Sequence, residues 1–124
     1  MKILVPVIDR EGLASRISGH FGKAPYYAVI ELDEEYNVRN ICFIENPRAM
    51  GYRPGEYFAQ QGIDYVVIGE GGIGVRALEN LRRYGVEVLV TNGETLKEII
   101  ESIKEQGLKP YTGRGCPGKH GLMR

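Results

Sequence analysis

Two short segments and one pair of side chains hold the residue types that could do chemistry. Ser18-Gly19-His20-Phe21-Gly22 sets an imidazole between glycines, which leaves the ring sterically open. Near neutral pH, imidazole is a common ligand for iron and other transition metals. A lone His on a polar loop is equally an ordinary solvated residue, so both readings stand on this ground. Residues 69–74, Gly-Glu-Gly-Gly-Ile-Gly, follow an apolar run and open a helical pattern, and Gly69, Gly71 and Gly74 meet the spacing of a dinucleotide-binding turn. That fingerprint also wants an acidic residue about 20 positions on, at the end of the next strand. Here the strand ends at Val90, Thr91 and Asn92, and Glu87 stands at its start. What Gly71, Gly72 and Gly74 do supply is backbone N–H groups that can face an anion at a helix N-terminus with no side chain in the way. A tight strand-to-helix connection without a ligand is the plainer alternative. Cys116 and His120 pair a thiolate with an imidazole four residues on, half of a closed zinc site that needs four ligands. Cys42 alternates with apolar neighbours, which predicts a buried, inert thiol.

Hydrolytic chemistry lacks its parts. The chain has no G-x-S-x-G turn, no H-E-x-x-H pair and no Gly-Lys-Ser/Thr after a glycine run. Glu31, Asp33 and Glu45 close strands, where solvation explains them. Arg48 and Arg53 could meet an anion, although surface arginines are the commoner case.

The elements that must position these groups follow from apolar runs at residues 3–8, 26–32, 38–44, 65–68 and 86–90, each bounded by Gly, Pro, Asp or Asn. These read as five strands. The polar stretch 33–37 has hairpin length, so the first three form an antiparallel meander. Val75, Leu78 and Leu81 recur at helical spacing between the last two strands, giving a βαβ unit with parallel strands. A short helix runs from Pro54 to a stop at Gly62. A longer one covers 93–106, with Leu96, Ile99, Ile100 and Ile103 on one face and Asn92 as its cap. Residues 1–108 therefore make one α/β domain. Residues 109–124, rich in Gly, free of acids and carrying Arg114, Lys119 and Arg124, read as a flexible basic tail.

At 124 residues, 43% apolar and 26% charged, the composition suits one globular domain and excludes disorder and coiled coils. Sixteen basic and sixteen acidic side chains balance, so no field of the whole chain draws in nucleic acid or an anionic membrane. No apolar run approaches the roughly 20 residues of a membrane span, and no signal peptide is legible. Two Cys in unlike contexts make no disulfide framework, and the expected compartment is the cytoplasm.

Residues 18–22 with Lys23-Ala24, the segment 62–68, Gly71-Gly72-Ile73-Gly74 with Ala77-Leu78, and Leu81 with residues 85–88 together resemble the dinitrogenase iron-molybdenum cofactor biosynthesis family, the NifX-like proteins and the carboxy-terminal domain of NifB. The similarity spans about residues 1–105. It implies a ribonuclease H-like α/β fold, a mixed five-stranded sheet with three helices. It further implies a small carrier or scaffold, not an enzyme, for an iron-sulfur or iron-molybdenum type cluster passed between donor and acceptor proteins. His20 would be the cluster ligand, Ser18, Gly19, Phe21 and Gly22 its loop, and Gly71, Gly72 and Gly74 would line the same pocket, with Cys116 or His120 as a second, exchangeable ligand. Two rivals remain: an enzyme that takes a nucleotide or phosphate at residues 69–74, and a plain interaction domain, a homodimer for instance.

Overall fold

The computed structural model describes residues 1–105 and 107–115. Six strands form one mixed sheet in the order β3-β2-β1-β4-β5-β6. They are β1 Lys2–Val7, β2 Tyr26–Leu32, β3 Val38–Glu45, β4 Tyr65–Ile68, β5 Glu87–Val90 and β6 Lys109–Pro110. The expected meander is present, with β1 antiparallel to β2 and β2 to β3. The expected βαβ unit is present too, since β4 lies parallel to both β1 and β5. The count of five strands is corrected to six. Residues assigned to the tail add β6 antiparallel to β5, and Tyr111 N–H donates to Val88 O at 2.7 Å. The two-residue length of β6 and its Pro110 leave no apolar period from which a strand could be read.

Both faces of the sheet are covered, which is why β1 reads as a nearly continuous apolar run. Side chains alternate between the faces. Leu4, Tyr27, Val66 and Val88 face α1 Pro54–Ala59 and α2 Val75–Arg83, through Phe58, Leu78 and Leu81. Ile3, Val5, Ala28, Ile30 and Val67 face α3 Leu96–Lys104, through Leu96, Ile99 and Ile100. The cap of α3 is Thr95, not Asn92: Thr95 Oγ1 accepts from Glu98 N–H at 3.3 Å. The intervening residues are held by other bonds, Thr91 Oγ1 accepting from Gly93 N–H at 2.9 Å and Glu98 Oε2 from Glu94 N–H at 2.8 Å. Cys42 is exposed, contrary to the alternation argument, because β3 is the outer strand of the sheet and no position along it is buried. Among the described residues no helix is long and apolar enough to cross a membrane.

Asp33 closes the β2–β3 turn. Its Oδ1 accepts from Glu35 N–H at 2.8 Å and from Asn37 N–H at 2.9 Å. The Asn37 N–H does most to hold the carboxyl below its ordinary pKa, with help from Glu35 and the Arg39 charge against a partial desolvation. A group with a lowered folded-state pKa stabilises above its unfolded value, about 3.9, and that stabilisation is lost as pH falls through the folded value. Asp33→Ala is expected to lower the denaturation midpoint at pH 7. The gap from the natural chain should narrow as pH falls below about 4 in urea melts.

Candidate functional site

The loops that matter leave the carboxyl ends of β1 and β4, adjacent parallel strands whose chains then depart in opposite directions, β1 toward β2 and β4 through α2 toward β5. Such a switch point opens a crevice where ligands bind in open α/β sheets. After β1 the chain passes a short 3-10 turn, Gly12–Ala14, and doubles back along the strand it has just left. Ile8 N–H donates to Arg16 O and Ser18 N–H to Pro6 O, each at 2.9 Å, and Val7 faces Ile17 across an antiparallel bridge. On its other side the same segment meets the chain after β5: Ile17 N–H donates to Glu94 O at 2.9 Å, and Leu96 N–H to Ser15 O at 3.1 Å. Residues 15–18 thus fill the row above the end of β4 and deliver residues 18–22 to the switch point.

Ser18 is buried, and its hydroxyl donates to His20 O at 3.1 Å while accepting from His20 N–H at 3.4 Å. Phe21 is 1% exposed and meets Tyr27 edge-on, ring centroids 5.4 Å apart. The Tyr27 hydroxyl donates to Phe21 O. Burial pushes the Tyr27 phenol well above its ordinary pKa, with the Arg48 charge pulling it part of the way back, so it stays a protonated donor. Between these two anchors His20 stands exposed, with no protein group in hydrogen-bond reach of its ring among the described residues.

The glycine turn is shaped around this loop. A Cβ on Gly71 would run into the backbone of Gly19, and Phe21 N–H donates to Gly72 O at 3.2 Å. Gly72 has φ +87°, a conformation glycine adopts without strain, and its own N–H closes the turn onto Gly69 O at 3.2 Å. Close backbone approach therefore accounts for Gly71 and turn geometry for Gly72. Gly74, the residue before α2, has no neighbour where its Cβ would lie.

The expected single pocket is divided by the His20 loop. Ser18, Gly19, Gly69 and Gly71 line a hollow of about 530 Å³ with Glu70, Thr91 and Glu94. Phe21, Gly22 and Gly74 line a second of about 360 Å³ with Arg48, Arg53 and Arg76. Gly19 borders one and Phe21 the other, so His20 sits on the crest between them. Arg76 and Glu70 escaped the sequence reading. The signal was their adjacency to the glycine turn, two residues past Gly74 and between Gly69 and Gly71. Among the described residues no three His, Cys, Asp or Glu side chains gather to hold a metal ion. Cys116 and His120 lie outside the described residues. Gly115, the last described residue, rests against Gly74 and Val75 at the start of α2.

A profile of the family described as dinitrogenase iron-molybdenum cofactor matches residues 1–107. The chain belongs to this family. No curated protein matches it. Among solved structures, the crystal structure of PH0822 is 25% identical, with a TM-score of 0.73 over 92% of this chain and 99% of that one. An NMR structure of a candidate NifB protein from Thermotoga is 22% identical, TM-score 0.73, covering 94% and 98%. The apo form of the orange protein from Desulfovibrio gigas is 18% identical, TM-score 0.72, covering 90% and 93%. At the two lower identities the likeness is one of fold. Dinitrogenase iron-molybdenum cofactor family membership agrees with the resemblance carried by residues 18–22 and 62–88, and the match extends over more than nine-tenths of each of these solved chains.

The packing separates two glycines that look alike in sequence. Gly71→Ala should cost about 1–3 kcal/mol in chemical denaturation, because the added methyl must displace Gly19. Gly74→Ala should be tolerated. Equal losses for the two would refute the close-approach account.

Proposed function

We propose that this chain is a small non-enzymatic carrier or scaffold of the cytoplasm, which holds an anionic iron-sulfur or iron-molybdenum type cluster, or a precursor of one, between a donor and an acceptor protein. The observation that carries the reading is the placement of His20, an exposed imidazole at the switch point between two buried anchors, in a chain of the dinitrogenase iron-molybdenum cofactor family. The donor set fits cargo better than a resident ion. A structural metal site closes with four protein ligands, whereas here one imidazole is offered and no group of three or more His, Cys, Asp or Glu side chains gathers among the described residues. A preassembled cluster brings its bridging sulfides and keeps terminal ligands on its other irons, so one protein ligand can hold it, and few protein ligands allow it to leave again.

In this reading an unprotonated ring nitrogen of His20 donates to an iron. The Ser18 hydroxyl and the buried Phe21 fix the loop, so the imidazole is presented with little ordering to be done on binding. Gly71 and Gly72 act by letting the two loops touch. Gly74 leaves the start of α2 without a side chain, where the first-turn N–H groups and the helix dipole favour negative charge. Cys116 or His120 supplies a second, exchangeable ligand, and Gly115 leads the chain toward them from the start of α2.

Anaerobic titration with a preassembled iron-sulfur cluster, read by visible absorption and bound iron, tests this. The natural chain should take up cluster stoichiometrically. His20→Ala should lose about tenfold or more in affinity, Cys116→Ala less. Uptake untouched by His20→Ala would remove the assigned ligand, and no uptake by the natural chain would remove the carrier reading.

A further inference from the structure

Among the described residues the hollow of about 360 Å³ on the Phe21 side of the His20 loop is lined by no Cys or His, and Glu56 is its one carboxylate. It is built of hydrogen-bond donors instead. Arg48, Arg53 and Arg76 reach it from three elements: the 3-10 turn Pro47–Met50, the residue before α1, and the first turn of α2. Arg48 is held in place, its Nε donating to Gly22 O at 3.0 Å and its backbone N–H to Asn46 Oδ1 at 2.9 Å, so its terminal nitrogens remain for another acceptor. Arg53 and Arg76 lie on facing helix starts, brought together because Gly55 packs directly on Ala77 with no room for a Cβ. Among the described residues none of the three is in an ion pair; the pair found there is Arg16 Nε to Asp9 Oδ2, 3.3 Å, with Arg16 at the rim of the other hollow.

Three guanidinium groups against the single Glu56 carboxylate leave two positive charges facing the hollow, which match a phosphate dianion. Guanidinium forks suit the oxygens of a tetrahedral oxyanion. A half-open hollow with its three arginines gathered at one point, on a chain of zero net charge, suits a small anion better than a polyanion. Its volume exceeds what a free phosphate fills and falls within the range of small-molecule pockets, and Phe21, Pro54 and Ala77 add apolar surface. We propose that the hollow between Arg48, Arg53 and Arg76 is a binding site for a phosphate-type dianion, free or at the end of a small phosphorylated molecule. The proposal stands on this geometry and does not rest on the cluster reading.

Calorimetric titration of the full chain with inorganic phosphate and with adenosine monophosphate, at ionic strength held constant with sodium chloride, tests it. Saturable binding of one or both is expected. Arg53→Ala and Arg76→Ala should each weaken it about tenfold, and Glu56→Gln should tighten it. All three side chains are exposed enough to be replaced without loss of the fold, which a thermal melt checks. Tighter binding of the nucleotide would assign the organic phosphate as ligand, and equal binding the anion itself. Phosphate and nucleotide binding no better than chloride, or binding that survives both arginine replacements unchanged, would overturn the proposal whatever the outcome of cluster titration.

Discussion

The switch-point architecture depends on one backbone arrangement, the pairing of residues 15–18 with β1 on one side and with the chain around Glu94 on the other. β4 has only four residues and pairs with β1 at Ile3 and Leu4, so Pro6 and Val7 have no β4 partner on that side. Without a substitute, buried backbone groups there would lack partners, at a cost comparable to a lost hydrogen bond each. The returning loop supplies them. In doing so it ties the end of β1 to the chain after β5 and fixes where residues 18–22 emerge.

From that constraint the rest of the site follows. Because the loop lies over the end of β4, the turn after β4 must let it pass, and Gly71 is the residue whose missing side chain makes the space. Because Phe21 is drawn under the loop into the core beside Tyr27 and Phe58, its neighbour His20 is left outside. The division into two hollows is a consequence of the same crossing. One hollow carries mixed charge with Glu70, Glu94 and Arg16; the other is dominated by arginines.

Much of this was legible in the sequence. The five longer strands showed themselves as apolar runs and two helices through their period, while the short helix was marked by Pro54 at its start and Gly62 after its end. What failed was local and explicable. Asn92 looked like a cap, yet the residues after it were committed to the crossing loop, which moved the cap to Thr95. Cys42 looked buried, since alternation says which face a residue is on but not whether anything covers that face at an outer strand. β6 is held by main-chain bonds that no side-chain pattern records. The glycines at 69–74 were seen, but their partner, the backbone of Gly19, is some fifty residues away and could not be read from spacing.

The bonds that hold the crossing loop run from main chain to main chain: Ile8 to Arg16, Ser18 to Pro6, Ile17 to Glu94, Leu96 to Ser15, Phe21 to Gly72. Arg16 and Glu94 take part through their carbonyl oxygens, which every residue possesses, and their side chains lie on the outside. Apart from the exposed ion pair of Arg16 with Asp9, the scaffold asks little of those side chains. Mutation can rewrite the rim of the larger hollow while the imidazole stays where it is, so the chemistry of that rim can change without the architecture being rebuilt.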